Sequence, residues 1–301
     1  MIAIVGAARI DGEPRIEISA RTRKMMSRGA YLAACCLGAV VREVGWTACG
    51  DVGCFLGVGA SGGSLDDVTA LLAASIVDGA FSLARFGDRG LAACNPLLAF
   101  QLMNNFTLAH AAIQDGLGGP NSALFSRGAG TTAALVEAIH AIERGDCSRA
   151  IAGGADSALH PVTRSELVRD GFVARGLVPA EGAAMVALAP AGSSRALAIV
   201  EHAAIANGDD RPLGDAIAEA VPSCDPDAVV IVPWGPEAGA ALREQAKTAR
   251  VVEVHGDALA AAQAIGWTVA LDAIAAGAAR VLVLGAGTDG DVGAVVLRRP
   301  A

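Results

Sequence analysis

The run NSALFSRGAGTTAALVEAIHAIERGDCSRAIAGGAD, from Asn121 to Asp156, constrains the chain more than any other stretch. It reads as strand, glycine turn, helix and strand. Ala123 to Phe125 are apolar and short, and Gly128-Ala129-Gly130 supplies the turn. From Thr131 to Arg144, apolar residues fall at Ala134, Leu135, Ala138, Ile139 and Ile142, a helical spacing. Gly145 suits the helix C-cap, and Arg149 to Ala152 reads as a buried strand ending at Gly153-Gly154. A turn at a strand tip, feeding a helix N-terminus, is a favoured seat for a nucleophile or an anion. The residue on that turn, Gly128, has no side chain.

The unit has an echo downstream. EAIHAIERGDCSRAIAGGAD resembles VALDAIAAGAARVLVLGAGTD in one constant register, which matches Ala141-Ile142 to Ala273-Ile274, Gly145 to Gly277 and Gly153 to Gly285. Two similar βαβ halves predict a duplicated α/β architecture with helix-covered sheets. The linker 190–195 divides it into halves 1–192 and 193–301. Further strands are expected over 2–6, 52–58, 182–188, 196–205, 228–232, 250–254, 280–284 and 291–297. Helices are expected over 21–44, from Ser64 as N-cap toward 77, and over 163–173, 213–221 and 258–275. An apolar segment follows Asn95-Pro96 through Leu97, Phe100, Met103 and Phe106. With 301 residues, 53% of them hydrophobic, the chain can bury a sizeable core. Aromatics are only 4%, so small side chains must fill it, and the two Ala-rich helices 131–144 and 258–275 suit a tightly packed central layer.

Charge and cysteine usage exclude several functions. The balance of 23 basic and 31 acidic residues, with no basic run, argues against nucleic acid as a partner. No apolar span is long enough for a membrane helix, and the start MIAIVGAARI reads as a strand rather than a signal peptide, so a cytoplasmic protein is expected. The seven cysteines, Cys35, Cys36, Cys49, Cys54, Cys94, Cys147 and Cys224, form no C-x-x-C pair and no metal spacing with histidine. They read as reduced, mostly buried thiols, and no metal is expected.

Local patterns offer two chemistries. Gly128-Ala129-Gly130-Thr131-Thr132-Ala133 matches a G-x-G-x-x-A dinucleotide fingerprint, with Asp156 as the ribose-binding acid of an NAD(P)-dependent enzyme. A similar match at 285–290 precedes a strand rather than a helix and is discarded. Gly59-Ala60-Ser61-Gly62-Gly63 matches a G-x-S-x-G elbow, for which Asp227 and His255 are the candidate triad partners. A polar helix cap after a glycine turn explains the same letters. Of the histidines, His255 ends a strand near the central turn, and His140 lies on the central helix. Trp234 and Trp267 read as packing residues. The carboxylates form no evident acid–base pair.

Spacing across the whole chain resembles the β-ketoacyl synthases of the thiolase superfamily. The resemblance runs through Asn95-Pro96…Asn104-Asn105, Gly119-Pro120-Asn121, the central turn, Gly145-Asp146 and Ile151-Ala152-Gly153-Gly154-Ala155-Asp156. It continues in Glu181-Gly182-Ala183-Ala184, like the family's GEGA strand, and in 256–262, like its GH-x-x-GAAG helix start. The glycine loop 285–290 completes it. The resemblance implies a thiolase-like five-layer αβαβα fold, here shortened before Arg21, around 168–180 and after His202. It also implies a dimer formed through the strand of the central unit.

The departures define what the resemblance implies about activity. In the enzymes a Cys on the central turn carries the acyl thioester, and two His and a Lys support decarboxylation. Gly128 falls at the Cys position, Trp234 and Asp257 at the two His positions and Val252 at the Lys. None of Gly, Trp or Val attacks a carbonyl or exchanges protons. Ser126, two residues early, has no evident base. A ketosynthase fold without these groups resembles a chain-length factor, not an enzyme on its own. It implies a heterodimer with a catalytic ketosynthase homologue, acyl carrier protein reached through the complex, and no cofactor. Tunnel or interface candidates by family position are Ile76, Gly79, Leu83, Phe100 and Met103. The rival readings are the dinucleotide enzyme and a homodimeric pseudoenzyme that serves as an acyl-carrier docking scaffold.

Overall fold

The computed structural model describes residues 1–14, 18–47, 49–60, 62–192, 195–208, 211–247 and 249–301. The strands are β1 (Ile2–Ile10), β2 (Val52–Val58), β3 (Asn121–Phe125), β4 (Arg149–Ser157), β5 (Glu181–Pro190), β6 (Ala198–Ala206), β7 (Ala228–Val232), β8 (Arg250–Glu253), β9 (Arg280–Ala286) and β10 (Val292–Arg298). The main helices are α1 (Arg28–Val44), α2 (Leu65–Ser75), α3 (Phe106–Asp115), α4 (Gly130–Arg144), α5 (Pro161–Arg169), α6 (Leu213–Ala220), α7 (Pro236–Arg243) and α8 (Ala262–Ala275).

Hydrogen bonds link the strands in the order β8-β7-β9-β10-β6-β1-β5-β4-β2-β3. Read inward from its outer edge, the first set runs β3-β2-β4-β5-β1 and the second β8-β7-β9-β10-β6, the same permutation with every number raised by five. Direction repeats too. β2 is parallel to β3 and β4, and β7 to β8 and β9, while the remaining pairs are antiparallel. The sets meet where Ile2–Ile4 of β1 pairs with Ala198–Val200 of β6.

Strand periodicity sorts side chains into three cores. Ile2 and Ile4 point into a central core with Leu135, Ala138 and Ile142 of α4 and Trp267, Ala270 and Ile274 of α8. Ala3 and Val5 point the other way, to Leu32, Leu37 and Val40 of α1 and Leu108 of α3. In the second set Val281 and Val283 join the central core, while Leu282 and Leu284 face Ile217 of α6 and Leu242 of α7. The result is the five-layer αβαβα stack of the thiolase-like fold, with two helices in the middle.

Paired glycines let the central helices bite into the sheets. Gly57 and Gly154 are cross-strand partners, and a Cβ on either would lie 2.4 Å and 2.7 Å from Thr131 Oγ1. Gly285 and Gly293 are likewise partners, and Gln263 occupies the notch they leave. Thr132 donates its hydroxyl to Gln263 Oε1, tying α4 to α8.

Several expectations need correction. The span 21–44 is two helices, because Ser27 accepts the Ala30 N–H and starts α1 afresh at Arg28. The run after Ser64 ends at Ser75, as expected from an N-cap at Ser64 but short of 77. It passes into a tight hairpin, Ile76–Val77 with Ala80–Phe81, turned by Asp78 (φ 50°) and Gly79 (φ 80°). α7 is an addition to the elements expected.

Candidate functional site

The central turn is built from side-chain caps rather than reactive groups. Ser126 Oγ accepts the N–H groups of Gly128 and Gly130, both at 2.9 Å, and so satisfies amides at the foot of α4. Its own proton goes to Asp289 Oδ2 at 3.0 Å, which also accepts the Arg127 N–H at 2.8 Å. Ser126 therefore does have a carboxylate beside it, which sequence alone did not reveal. The arrangement holds the hydroxyl in place. With one proton donated and two amides accepted, its hydrogen-bonding capacity is full, and attack on a carbonyl would first break the cap.

Gly128 is buried, and the space a side chain would need is taken by backbone. A Cβ there would lie 2.3 Å from Gly287 Cα and 2.8 Å from Gly287 N. Gly287 belongs to the glycine loop after β9, so the two halves of the internal echo meet face to face at this point. The same closure removes the dinucleotide reading. The amides that would cradle a pyrophosphate already bind Ser126, Gly287 covers the turn, and Asp156 is 3% exposed with its carboxylate on Ser157 N and Ala260 N.

Of the other positions matched to the family, Asp257 lies within electrostatic reach of Asp156 and Asp289, the second of which stands beside Gly128. Trp234 and Asp257 line one pocket of about 190 Å³ with His255 and Pro236. Trp234 is 8% exposed and packs edge-on against Phe172 at 5.3 Å, with the Arg175 guanidinium 4.7 Å over its ring. The segment around Phe172 thus rests directly on Trp234. Val252 lies in edge strand β8, opposite Val230, half-buried against the central core.

Asp257 is buried and accepts the Leu259 N–H at 2.7 Å, which supports Leu259 at φ 48°. Burial pushes both Asp156 and Asp257 up to about 7. The charges of Asp156 and Asp289 add to the rise at Asp257. A carboxylate cluster therefore does gather here, although its members are scattered along the sequence. Cys35, Cys36, Cys49, Cys54 and Cys147 are buried, and burial pushes the Cys54 thiol up to about 12.

The hydrolase reading fails on position. Asp227 precedes β7 and accepts the amides of Ala279 and Arg280, whereas His255 follows β8. Those strands are parallel, so the two residues stand at opposite ends of the sheet. Ser61 of the same motif lies outside the described residues. Among the described residues, no cluster of His, Cys, Asp and Glu is arranged to hold a metal, and no helix is long and apolar enough to cross a membrane.

The tunnel or interface candidates lie on the chain's surface. Ile76, Leu83 and Met103 are exposed, and Gly79 forms the hairpin turn with nothing near its Cβ position. Phe100 lines an open apolar groove of about 610 Å³ with Ile18, Met25, Phe106, His110 and Ile113. A larger cavity, about 710 Å³ between β1 and α8, contains none of the matched positions.

The duplicated strand order and the paired central helices are those of the thiolase-like fold. Residues 12–193, more than half of the chain, match the family model of the β-ketoacyl synthase N-terminal domain, and the chain belongs to the β-ketoacyl synthase family. Among solved structures, a chain of a type II polyketide synthase acyl-carrier protein in complex with its ketosynthase, bound to the hexaketide, superposes with TM-score 0.75 at 13% identity. That match covers 99% of both chains. The ishigamide ketosynthase/chain length factor gives 0.73 at 19% identity, covering 100% of this chain and 99% of that one. A β-ketoacyl synthase from Burkholderia phymatum STM815 gives 0.73 at 14% identity, with the same coverage. At these identities the likeness is one of fold. Comparison with curated proteins finds no match.

Proposed function

We propose that the chain is a non-catalytic ketosynthase-like subunit, a chain-length factor in character. It pairs with a Cys-bearing ketosynthase homologue in type II polyketide, polyene or fatty-acid-like synthesis and shapes the space that receives the acyl chain. The observation that carries this reading is the closure of Gly128 by Gly287. The position matched to the acyl-accepting Cys has neither a side chain nor room for one. The reading divides the chain into halves 1–192 and 193–301, a division supported by the repeated strand order.

Sheet edges support pairing through β3. Among the described residues no strand pairs with its outer edge, and β3 carries no charged residue and ends in Phe125, which is 58% exposed. The opposite edge, β8, carries Arg250 and Glu253, with Glu253 bound to Arg243. Charge protects an edge strand from pairing, and its absence leaves β3 suited to it. In such a pair Ile76, Gly79, Leu83, Phe100 and Met103 are the candidates for setting product length by volume, a steric role.

Co-expression with a catalytic homologue tests the reading. The expected result is a one-to-one complex in which a thiol-directed ketosynthase inhibitor labels only the homologue. An acyl-enzyme on this chain would overturn it.

A second reading, direct docking of an acyl carrier protein, is favoured by one surface. Residues 18–42 contain no Asp or Glu in a chain of net charge −8, and Arg21 and Lys24 have no ion-pair partner among the described residues. Ser19, Thr22 and Met25 of the same stretch line the apolar groove at Phe100. Cations beside an apolar groove suit an acidic amphipathic helix.

A further inference from the structure

Hydrogen bonds cross the seam between the two strand sets in both directions. Asp156, at the end of β4, accepts the Ala260 N–H at 3.4 Å, just before α8. Asp289, after β9, accepts the Arg127 N–H and the Ser126 hydroxyl, just before α4. Each set thus follows its glycine-bearing central strand with a carboxylate that holds the start of the other set's central helix. The register of the sequence echo places Gly128 on Ala260 and Ser157 on Asp289, so the two clasps are related by the internal repeat to within one residue.

The surroundings are short of positive charge. Asp156 is 3% and Asp257 5% exposed, and Asp289 Oδ1 is buried without a hydrogen-bond partner among the described residues. The guanidinium that acts on Asp156 is Arg127, already bound to Glu166 at 2.6 Å. Beyond Ser157 the Glu181 carboxylate is held by Arg28, and His255 lines the pocket that Asp257 shares with Trp234.

We propose that Asp156 and Asp289 are reciprocal clasps across this seam, and that both stay closed while the buried Asp156 and Asp257 carboxyls hold their protons. Loss of those protons loosens the turn at Gly128 and the foot of α8 together. The sign follows from burial, which lifts Asp156 and Asp257 to about 7 in the fold, above an ordinary value of 3.8. The stabilisation is full below the ordinary value and is lost as pH rises through about 7. The inference stands whether or not the chain shapes an acyl product.

Amide hydrogen exchange on the full chain, corrected for the intrinsic pH dependence of exchange, is the test. Between pH 5 and 7 the opening constant of segments 126–131 and 258–263 should rise about tenfold per pH unit for each proton released, then level off above 7. Asp257→Asn keeps an acceptor for Leu259 N–H and should flatten that rise while preserving protection. Asp289→Ala should loosen both segments, although it removes a contact to only one. The proposal is overturned if the two segments open without pH dependence in the wild type. It is equally overturned if Asp257→Asn leaves the pH dependence unchanged, or if Asp289→Ala loosens 126–131 alone. Should Asp289→Ala fail to fold, the wild-type series and Asp257→Asn decide the matter.

Discussion

Gly128→Ala is the smallest change that probes the closed turn. Gly128 is absent from the positive-φ glycines, so its backbone suits alanine, and reduced freedom of the unfolded chain would favour the variant by about 0.4–1 kcal/mol. Against this stands the added carbon, 2.3 Å from Gly287 Cα and 2.8 Å from Gly287 N. Both obstacles are backbone, so relief requires the loop after β9 to move and take the Asp289 clasp with it. Overpacking of this kind costs about 1–3 kcal/mol, which leaves a net loss of about 1 kcal/mol. Gly214→Ala, in α6, is the matched control. Nothing lies within 4 Å of its Cβ position, and its φ is also not positive, so the same substitution should stabilise by about 0.5–1 kcal/mol. Urea unfolding of the two variants beside the wild type reads both signs. A Gly128→Ala variant as stable as Gly214→Ala would refute the closure of the turn, and with it the physical basis for a non-catalytic subunit.

Other outcomes follow from the same coordinates. Gly128→Cys alone should form no thioester with an acyl carrier protein substrate, as intact-mass measurement would register. Glu181→Gln should cost about 1–3 kcal/mol in urea unfolding, because Glu181 is half-buried against Arg28 and Ser157. Burial pulls the Glu181 carboxyl upward, but its hydrogen bonds with Arg28 and Ser157 outweigh burial and hold it below the usual range. Its contribution is therefore present above that range and lost as pH falls through its lowered value, the opposite sense to Asp156 and Asp257. Arg21→Glu with Lys24→Glu should weaken carrier-protein binding about tenfold at low salt and less at high salt, measured by titration calorimetry. Phe125→Lys, on the exposed β3 edge, should reduce complex formation with a ketosynthase homologue on sizing while leaving the melting temperature of the isolated chain within a few degrees.

The layered fold was legible because most of its strands announce themselves. Val52–Val58 and Ala228–Val232 are uninterrupted apolar runs, and both fall where expected. Gly145 ends α4 in the left-handed conformation, as its place after Arg144 implied. α7 was not legible, since PEAGAALR has little apolar contrast, although Pro236 at its first turn is a starting signal. The hairpin at 76–81 carried its own signal in Asp78-Gly79. At the site, the Gly128 position could be counted from Gly119-Pro120 and from Gly145. The Ser126–Asp289 contact spans 163 residues, and Asp156 meets Ala260 across 104. No local pattern encodes such meetings. They arise because the repeated topology brings two strand ends and two helix starts to one seam, and a single sequence does not say which carboxylate reaches across.

The notches left by Gly57 with Gly154, and by Gly285 with Gly293, act as mortises for Thr131 and Gln263. A helix pegged in this way cannot slide along its sheet or roll against its neighbour without lifting out. Filling a mortise would therefore tilt a whole layer rather than dent the core. These glycines therefore fix how closely each central helix seats against its strands.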